Sequence, residues 1–120
     1  MNTAFLNGKD SPLNGASKLS YKGLEMFPYH RACLLNGQSL NLTKTEFSIL
    51  QVLMENLGHT VSVREMSDRI WNDAVYINRK DSVAVHIHHL REKMDDTLKP
   101  LNYVKTVWGV GYMLEKEENL

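Results

Sequence analysis

The sequence predicts a single α+β domain with an N-terminal antiparallel sheet, three helices and a C-terminal β-hairpin. Three observations predict it. Strand-like alternation, interrupted by turn-forming residues, occupies residues 19–42. Apolar stripes at helical spacing follow within residues 43–94. Two further strand-like runs, at residues 103–107 and 112–114, then flank a glycine-containing turn. A chain of 120 residues suits one domain with a single modest core.

The N-terminal sheet is predicted from alternation and from one hairpin turn. An alternating run at residues 24–26 is followed by a break at Pro28 and by an apolar run at residues 32–35. Asn36-Gly37 is a strong hairpin signal, because both central residues of a type I′ turn need a positive φ. Alternation resumes at residues 40–42. These signals predict three short strands.

Capping boxes predict where the first two helices begin. In Thr43-Lys44-Thr45-Glu46 and in Ser62-Val63-Arg64-Glu65, a hydroxyl and a carboxylate can satisfy unpaired backbone amides reciprocally. Gly58 suits the left-handed residue after the first helix, and the second helix is predicted to end near Trp71. One apolar face of the first helix is formed by Phe47, Leu50, Leu53, Met54 and Leu57.

The third helix is predicted over residues 81–94, after a loop at residues 72–80 that lacks helical periodicity. Its buried stripe comprises Val83, Ile87, Leu90 and Met94. The opposite side carries Asp81, Ser82, Val85, His86, His88, His89, Arg91, Glu92 and Lys93. Val85 and His89 are four residues apart and therefore point the same way.

The order of these elements is that of a winged helix-turn-helix, in which a hairpin follows the last helix. A helix fits the major groove of DNA, and a hairpin can lie along the adjacent backbone or minor groove. On this interpretation Val85 could contact a thymine methyl group, and His89 a base edge or a phosphate. Donors at spacings that could reach phosphates are Ser82, His86, Arg91 and Lys93.

The net charge of the whole chain argues against nucleic-acid binding, but the charge of residues 79–93 does not. The formal net charge is zero, with 14 basic and 14 acidic residues. DNA affinity depends largely on cations that neutralise phosphates. Between residues 79 and 93, however, four bases stand against two acids, and acids gather in the C-terminal tail. A neutral chain can still carry a basic face.

Composition also predicts the domain limits and the compartment. Residues 1–18 are interpreted as a disordered linker or a segment left from expression, residues 19–116 as the domain, and residues 117–120 as an acidic tail. No apolar run reaches the roughly 18 residues that span a bilayer, and the start does not resemble a secretory signal. A single cysteine, Cys33, fits a cytoplasmic protein, and we expect it to be a buried, inert thiol.

Residues 42–112 resemble the effector domain of OmpR/PhoB-type response regulators. The matching pieces are LTKTEF at residues 42–47, IW at residues 70–71, VAVHIHHLREKM at residues 83–94 and VKTVWGVGY at residues 104–112. The Asn36-Gly37 hairpin also suits the four-stranded sheet that precedes the first helix in that family. The likeness covers roughly the last hundred residues.

The resemblance implies that the third helix enters the major groove, with Val85 and His89 facing bases. It also implies that Thr106 and Trp108 meet DNA from the wing, and that the Trp71 indole reaches a phosphate. The full predicted DNA-binding set is Trp71, Arg79, Ser82, Val85, His86, His88, His89, Arg91, Lys93, Lys105, Thr106 and Trp108. The loop at residues 72–80 matches one that contacts RNA polymerase, and its candidate residues are Asn72, Asp73, Val75 and Tyr76.

The expected partners follow from the same resemblance. They are double-stranded promoter DNA, RNA polymerase, and a receiver domain and sensor kinase in the full-length protein. Because the receiver drives dimerisation in the family, we expect an isolated monomer that forms a dimer on DNA. We expect no membrane association, catalytic residue, metal or cofactor.

The chain departs from the family at three positions. Members often carry arginine where this sequence has His88, His89 and Trp108. Arginine is the usual reader of guanine and the usual minor-groove probe, so a different sequence preference is expected. The reference pKa of histidine is about 6.5. With His86, His88 and His89 at DNA phosphates, binding is expected to tighten as the pH falls from about 7.5 to about 6.

Two other classes of function stay open from the residues alone. Zero net charge and the histidines in place of arginines would suit a winged helix that binds protein and not DNA. The histidines could also form a metal or catalytic site, through His88 and Glu92 or through His86 and His89. The sequence lacks the ligand spacings of known zinc sites and an interpretable Ser, His and Asp set, which weighs against this class.

Overall fold

A computed structural model of the chain describes residues 17–71, 76–95 and 103–116, with the side chains of residues 76–82 and 95 excepted. Within these residues the order is four strands, a helix, a short strand, two helices and two last strands. This is the predicted α+β winged helix-turn-helix. Most of the predicted N-terminal linker and the predicted acidic tail lie outside the described residues.

The N-terminal sheet has four antiparallel strands in the described part of the chain, and the prediction of three is wrong. Asn36-Gly37 forms the predicted turn, with φ values of 52° and 86°. The additional strand arises because Lys22-Gly23 makes a second two-residue turn, with φ values of 46° and 88°. In spatial order the strands are β1 (Leu19–Tyr21), β2 (Leu24–Phe27), β3 (Ala32–Leu35) and β4 (Gln38–Ser39).

The three helices are α1 (Lys44–Glu55), α2 (Val63–Trp71) and α3 (Tyr76–Asp95). Helix α2 ends at Trp71 as predicted, and the Ser62 hydroxyl accepts a 3.0 Å hydrogen bond from the Glu65 amide at its start. Helix α3 begins at Tyr76, so the prediction of a loop as far as residue 80 is wrong. Residues 76–80 contain neither glycine nor proline, and a helix can therefore extend through them without a regular apolar stripe.

The predicted capping box of α1 is present and also joins α1 to α3. The Thr43 hydroxyl accepts from the Glu46 amide at 3.0 Å, and the Thr43 amide donates to Glu46 Oε1 at 2.9 Å. The same carboxylate oxygen accepts a 2.6 Å hydrogen bond from Lys93 Nζ, although the Glu46 residue is only 2% exposed. Burial acts to raise the pKa of Glu46, but Lys93 and Thr43 together hold it below the usual value.

The C-terminal hairpin belongs to a three-stranded sheet of described strands. These are β5 (Val61–Ser62), β6 (Lys105–Val107) and β7 (Gly111–Met113), in the order β5-β7-β6. Sequence periodicity did not predict β5, because two residues carry no pattern. Gly111 is required here, since a Cβ atom at this position would overlap the Val61 carbonyl group. Strand β7 is therefore paired along both of its edges, with β5 and with β6.

The core lies between the N-terminal sheet and the helices. The predicted stripe of α3 is buried, and so are Met54 and Met66 of α1 and α2. Cys33 is buried in β3, and this burial raises the pKa of its thiol to about 11. The thiol is therefore protonated at neutral pH, which confirms the expected inert cysteine.

We predict that Glu46→Gln lowers the free energy of unfolding by about 1.5–3 kcal/mol near pH 7, because glutamine keeps the cap but loses the charge that faces Lys93. The pKa of Glu46 is lowered by folding. Its stabilising effect is therefore present above the unfolded pKa of about 4.3 and is lost as the pH falls through the folded pKa. Urea unfolding followed by circular dichroism from pH 7 to pH 3 measures the difference.

Glu25→Gln is the matched control, because Glu25 forms an exposed 3.1 Å pair with Lys18. That variant is expected to change the unfolding free energy by less than about 1 kcal/mol. Equal losses in the two variants, or a loss for Glu46→Gln that does not shrink in acid, would contradict the structural role of Glu46.

Candidate nucleic-acid interface

One face of α3 is turned to solvent. Because Val83, Ile87 and Leu90 are buried in the core, the opposite side of the helix points outward. Its exposed residues are Ala84, Val85, His88, His89 and Glu92. The predicted shared orientation of Val85 and His89 is confirmed. The exposed face thus offers an apolar side chain and hydrogen-bonding groups, which is the chemistry that reads base edges in a major groove.

The histidines of α3 have different surroundings. His88 is exposed, and its Nε2 atom lies 3.4 Å from Glu92 Oε2. His86 is half-buried at the junction of α2 and α3, where its ring lies 6.3 Å from that of Trp71. The pairing of His88 with Glu92, which their spacing of four residues indicated, is present, and the exposed Glu92 carboxylate adds negative charge to the outer face.

Arg91 connects α3 to the wing. Its Nε and Nη2 atoms donate to the Val104 carbonyl at 3.1 and 2.8 Å, and Nη2 donates to the Thr106 hydroxyl at 2.6 Å. The guanidinium group also lies 5.9 Å from the centre of the Tyr112 ring. We call Arg91, Val104 and Thr106 the wing clamp. Arg91, predicted from sequence as a DNA contact, therefore sets the position of the wing relative to α3.

Two predicted lysine contacts are also paired within the protein. Lys93 faces α1 through its hydrogen bond with Glu46, and sequence reasoning missed this pairing because the two residues are far apart in the chain. Lys105 on β6 lies 2.7 Å from Glu115, and both side chains are exposed. The hydrogen bond and charge of Lys105 lower the pKa of Glu115. Lys105 can change partners in solvent more readily than Lys93.

The wing ends in an exposed apolar turn. Trp108, Gly109 and Val110 connect β6 to β7, and the Val110 amide donates to the Val107 carbonyl at 2.9 Å. Gly109 has a φ of 81°, which glycine adopts readily. Trp108 is 88% exposed, and Val110 beside it is also exposed. Sequence reasoning singled out Trp108 but not Val110.

Several predicted site residues lie outside what the structure describes. Asn72, Asp73 and Val75 fall in the gap between α2 and α3. Tyr76, Arg79 and Ser82 have described backbones within α3 but no described side chains. Tyr76 therefore belongs to a helix, which corrects its assignment to the predicted polymerase-contacting loop. The remaining assignments in this group stay predictions.

The described residues show neither a metal-binding cluster nor a membrane-spanning helix. They contain no group of three or more His, Cys, Asp or Glu side chains placed to hold a metal ion. None of the described helices combines the length and apolar character needed to cross a bilayer.

Known proteins are similar to this chain in sequence and in fold. Residues 37–114 match the family described as "Transcriptional regulatory protein, C terminal". The chain is similar to regulatory protein VanR of Enterococcus faecium, with 47% identity over 96 residues, which are 80% of this chain and 42% of VanR. The chain therefore spans less than half the length of this relative.

Solved structures of regulatory proteins are also similar to this chain. The response regulator DrrB, an OmpR/PhoB homolog of Thermotoga maritima, matches with a TM-score of 0.70 and 31% identity over 82% of this chain and 44% of that chain. The DNA-binding domain of Klebsiella pneumoniae RstA, in complex with the RstA box, matches with a TM-score of 0.70 and 26% identity. That match covers 82% of this chain and 97% of the RstA chain.

The wing clamp generates a prediction about stability. Arg91→Ala removes hydrogen bonds from a charged donor and leaves the Val104 carbonyl without this partner. We expect it to lower the free energy of unfolding by about 1.5–3 kcal/mol, as measured by urea unfolding. Amide hydrogen exchange is expected to accelerate in β6 more than in the N-terminal sheet, because the wing loses its attachment to α3.

Lys105→Ala is the control for this variant, because it removes a neighbouring cation from an exposed pair and is expected to cost less than about 1 kcal/mol. If Arg91→Ala is no more destabilising than Lys105→Ala, and if exchange in β6 is unchanged, the clamp does not hold the wing.

Proposed function

We propose a function for this chain on one premise: it belongs to the family of C-terminal domains of transcriptional regulatory proteins, within the OmpR/PhoB type of response regulator. The chain binds double-stranded promoter DNA in a sequence-specific manner and so regulates transcription. The observation that carries this proposal is the outward face of α3, which lies beside a wing that Arg91 holds in place.

Helix α3 reads bases in the major groove. Val85 supplies an apolar contact for the thymine methyl group, and His89, one helical turn later, supplies a hydrogen bond to a base edge. Both side chains are exposed on the same face, which supports this assignment. The two contacts then read positions a short distance apart along one groove.

Phosphate contacts come from the rim of the same surface. His88, Lys105, the Trp71 indole and His86 remain the candidates whose side chains are described, and Arg79 and Ser82 complete the set from the start of α3. Arg91 and Thr106 act mainly through the clamp, and Lys93 acts mainly through Glu46. Lys105 is the one permanent cation of this set whose side chain is described, and Arg79 is the other in the sequence, so the salt dependence of DNA binding should correspond to only a few neutralised phosphates.

The rest of the regulatory cycle belongs to the longer protein that the relatives represent. We propose that a receiver domain and a sensor kinase control this effector domain, that it contacts RNA polymerase through residues near the start of α3, and that two copies bind adjacent half-sites. The proposed compartment is the cytoplasm, and the proposed role is recognition and not catalysis.

A selection experiment tests sequence-specific reading by α3. The chain is titrated against a pool of genomic DNA fragments at low and moderate salt, and retained fragments are sequenced. We predict enrichment of a short site, and a loss of about 5- to 50-fold in affinity for it with His89→Ala, together with relaxed preference at one or two positions. Val85→Ala is expected to relax preference for thymine at a neighbouring position.

His59→Ala is the matched control, because His59 is an exposed histidine in the turn that follows α1. It is expected to retain both the affinity and the site. Retention of no fragment at any salt by a folded wild-type chain would contradict the proposed function and would favour a winged helix that binds protein.

A further inference from the structure

Exposed apolar side chains are concentrated on the proposed DNA-binding side. Among the described residues, four large hydrophobic side chains are exposed: Tyr29, Val85, Trp108 and Val110. Three of these belong to α3 or to the wing. Trp108 is the largest of the three, and a covered tryptophan buries about 150–250 Å² of surface. Trp108 and Val110 lie side by side and form an exposed apolar patch at the tip of the hairpin, which makes the tip a candidate contact surface.

The wing presents this tip in a fixed orientation. Residues Val107 and Gly111 pair across the base of the turn, and Gly111 approaches β5 so closely that no side chain would fit there. The wing clamp attaches the other strand, β6, to α3. Trp108 lies only two residues beyond Thr106, a distance of about 7 Å along a strand. The tip is therefore held close to α3, and Trp108 lines the same surface groove as Arg91.

The surroundings of the tip favour an apolar contact. Trp108 lines a surface groove together with Arg91, Lys105 and Glu115. Arg91 in this groove donates to the wing, and Lys105 is paired with Glu115. Attraction of the tip to a phosphate would have to compete with these internal pairs. Among the described side chains of the tip, the exposed groups without an internal partner are the Trp108 indole ring and the Val110 side chain.

We propose that Trp108, with Val110 beside it, is an apolar wedge that enters the DNA minor groove next to the site read by α3 and partly unstacks one base step. This inference rests on the proposed function. A wing beside a helix seated in the major groove can reach the adjacent backbone or the minor groove, and the apolar tip favours the minor groove, so the wedge is continuous with the α3 interface. Apolar side chains inserted between base steps kink DNA in this way.

The wedge makes the wing a second specificity element. Pyrimidine–purine steps such as TA and CA are the most easily unstacked, so Trp108 selects them through deformability and without hydrogen bonds to bases. An arginine at the same position would instead sense the negative potential of a narrow A·T-rich groove. Because the indole carries no charge, its contribution to affinity is nearly independent of salt.

Selection from a library of random-sequence duplexes tests the wedge. The wild type is expected to enrich a site that contains a pyrimidine–purine step beside the α3 contacts. Trp108→Ala should bind that site about 5- to 50-fold more weakly, with an unchanged salt slope and without the preference at that step. Trp108→Phe should keep the preference, and Trp108→Arg should favour A·T runs and steepen the salt slope by about 0.9.

A second readout reports the unstacking directly. A duplex of the enriched site carries 2-aminopurine at the proposed step, and its fluorescence is expected to rise when the wild type binds at saturation but not when Trp108→Ala does. Tyr29→Ala is the matched control, because Tyr29 is an exposed aromatic residue, 84% accessible, before β3 and away from the wing. It should behave as the wild type does.

Each outcome is decisive. If the folded wild type enriches no sequence, the proposed function and the wedge both fail. If it enriches a site that depends on His89, but Trp108→Ala selects the same site with equal affinity and the fluorescence does not change, the wedge alone fails. The exposed indole would then be assigned to a protein contact.

Discussion

The hydrogen bonds from Arg91 to the Val104 carbonyl and the Thr106 hydroxyl place the wing relative to the helix beside it. Without them, α3 and the hairpin would lose this attachment, and each could present its side chains in a separate orientation. A guanidinium group suits this task because its fork of donors reaches two acceptors at once and cannot lose its charge. Recognition of DNA by two elements together requires this fixed relation.

A second internal pair removes a predicted cation from the DNA-binding face. Lys93 pairs with the buried Glu46 between α3 and α1, although its own side chain stays 35% exposed. Counting charges along the sequence therefore overstates the cations that this face offers to DNA. Among the described side chains, the outer surface of α3 and the wing combines histidines, Glu92, the Lys105–Glu115 pair and apolar groups. Such a surface relies on shape and close contact more than on long-range attraction.

Local signals predicted much of this fold from the sequence. The capping box at Thr43, the turn at Asn36-Gly37 and the stripe of α3 are each decided by residues within a few positions of one another, and all are confirmed. Strand β5 and the first residues of α3 were missed, because a two-residue strand has no period and a helix start without an apolar pattern resembles a loop. The Lys22-Gly23 turn was missed because only its glycine carries a signal.

The contacts of the residues at the candidate interface were harder to predict than the fold, because they depend on distant parts of the chain. The exposed face of α3 follows from helical periodicity, so the shared orientation of Val85 and His89 could be predicted. The partners of Arg91 lie 13 and 15 residues away in the chain and that of Lys93 lies 47 residues away, so only the fold brings these groups together. The sequence alone therefore does not distinguish a donor that faces a DNA phosphate from one that faces a carbonyl group within the protein.

We propose that Arg91 positions the wing so that Trp108 and α3 act on the same DNA. A double-mutant cycle on the affinity for the selected site measures this dependence, with the wild type, Arg91→Ala, Trp108→Ala and the double variant compared under one salt condition. We expect strong coupling: Trp108→Ala should cost about tenfold or more in the wild type but little in the Arg91→Ala background, where the wing is no longer held. Independent effects, with Trp108→Ala equally costly in both backgrounds, would contradict it.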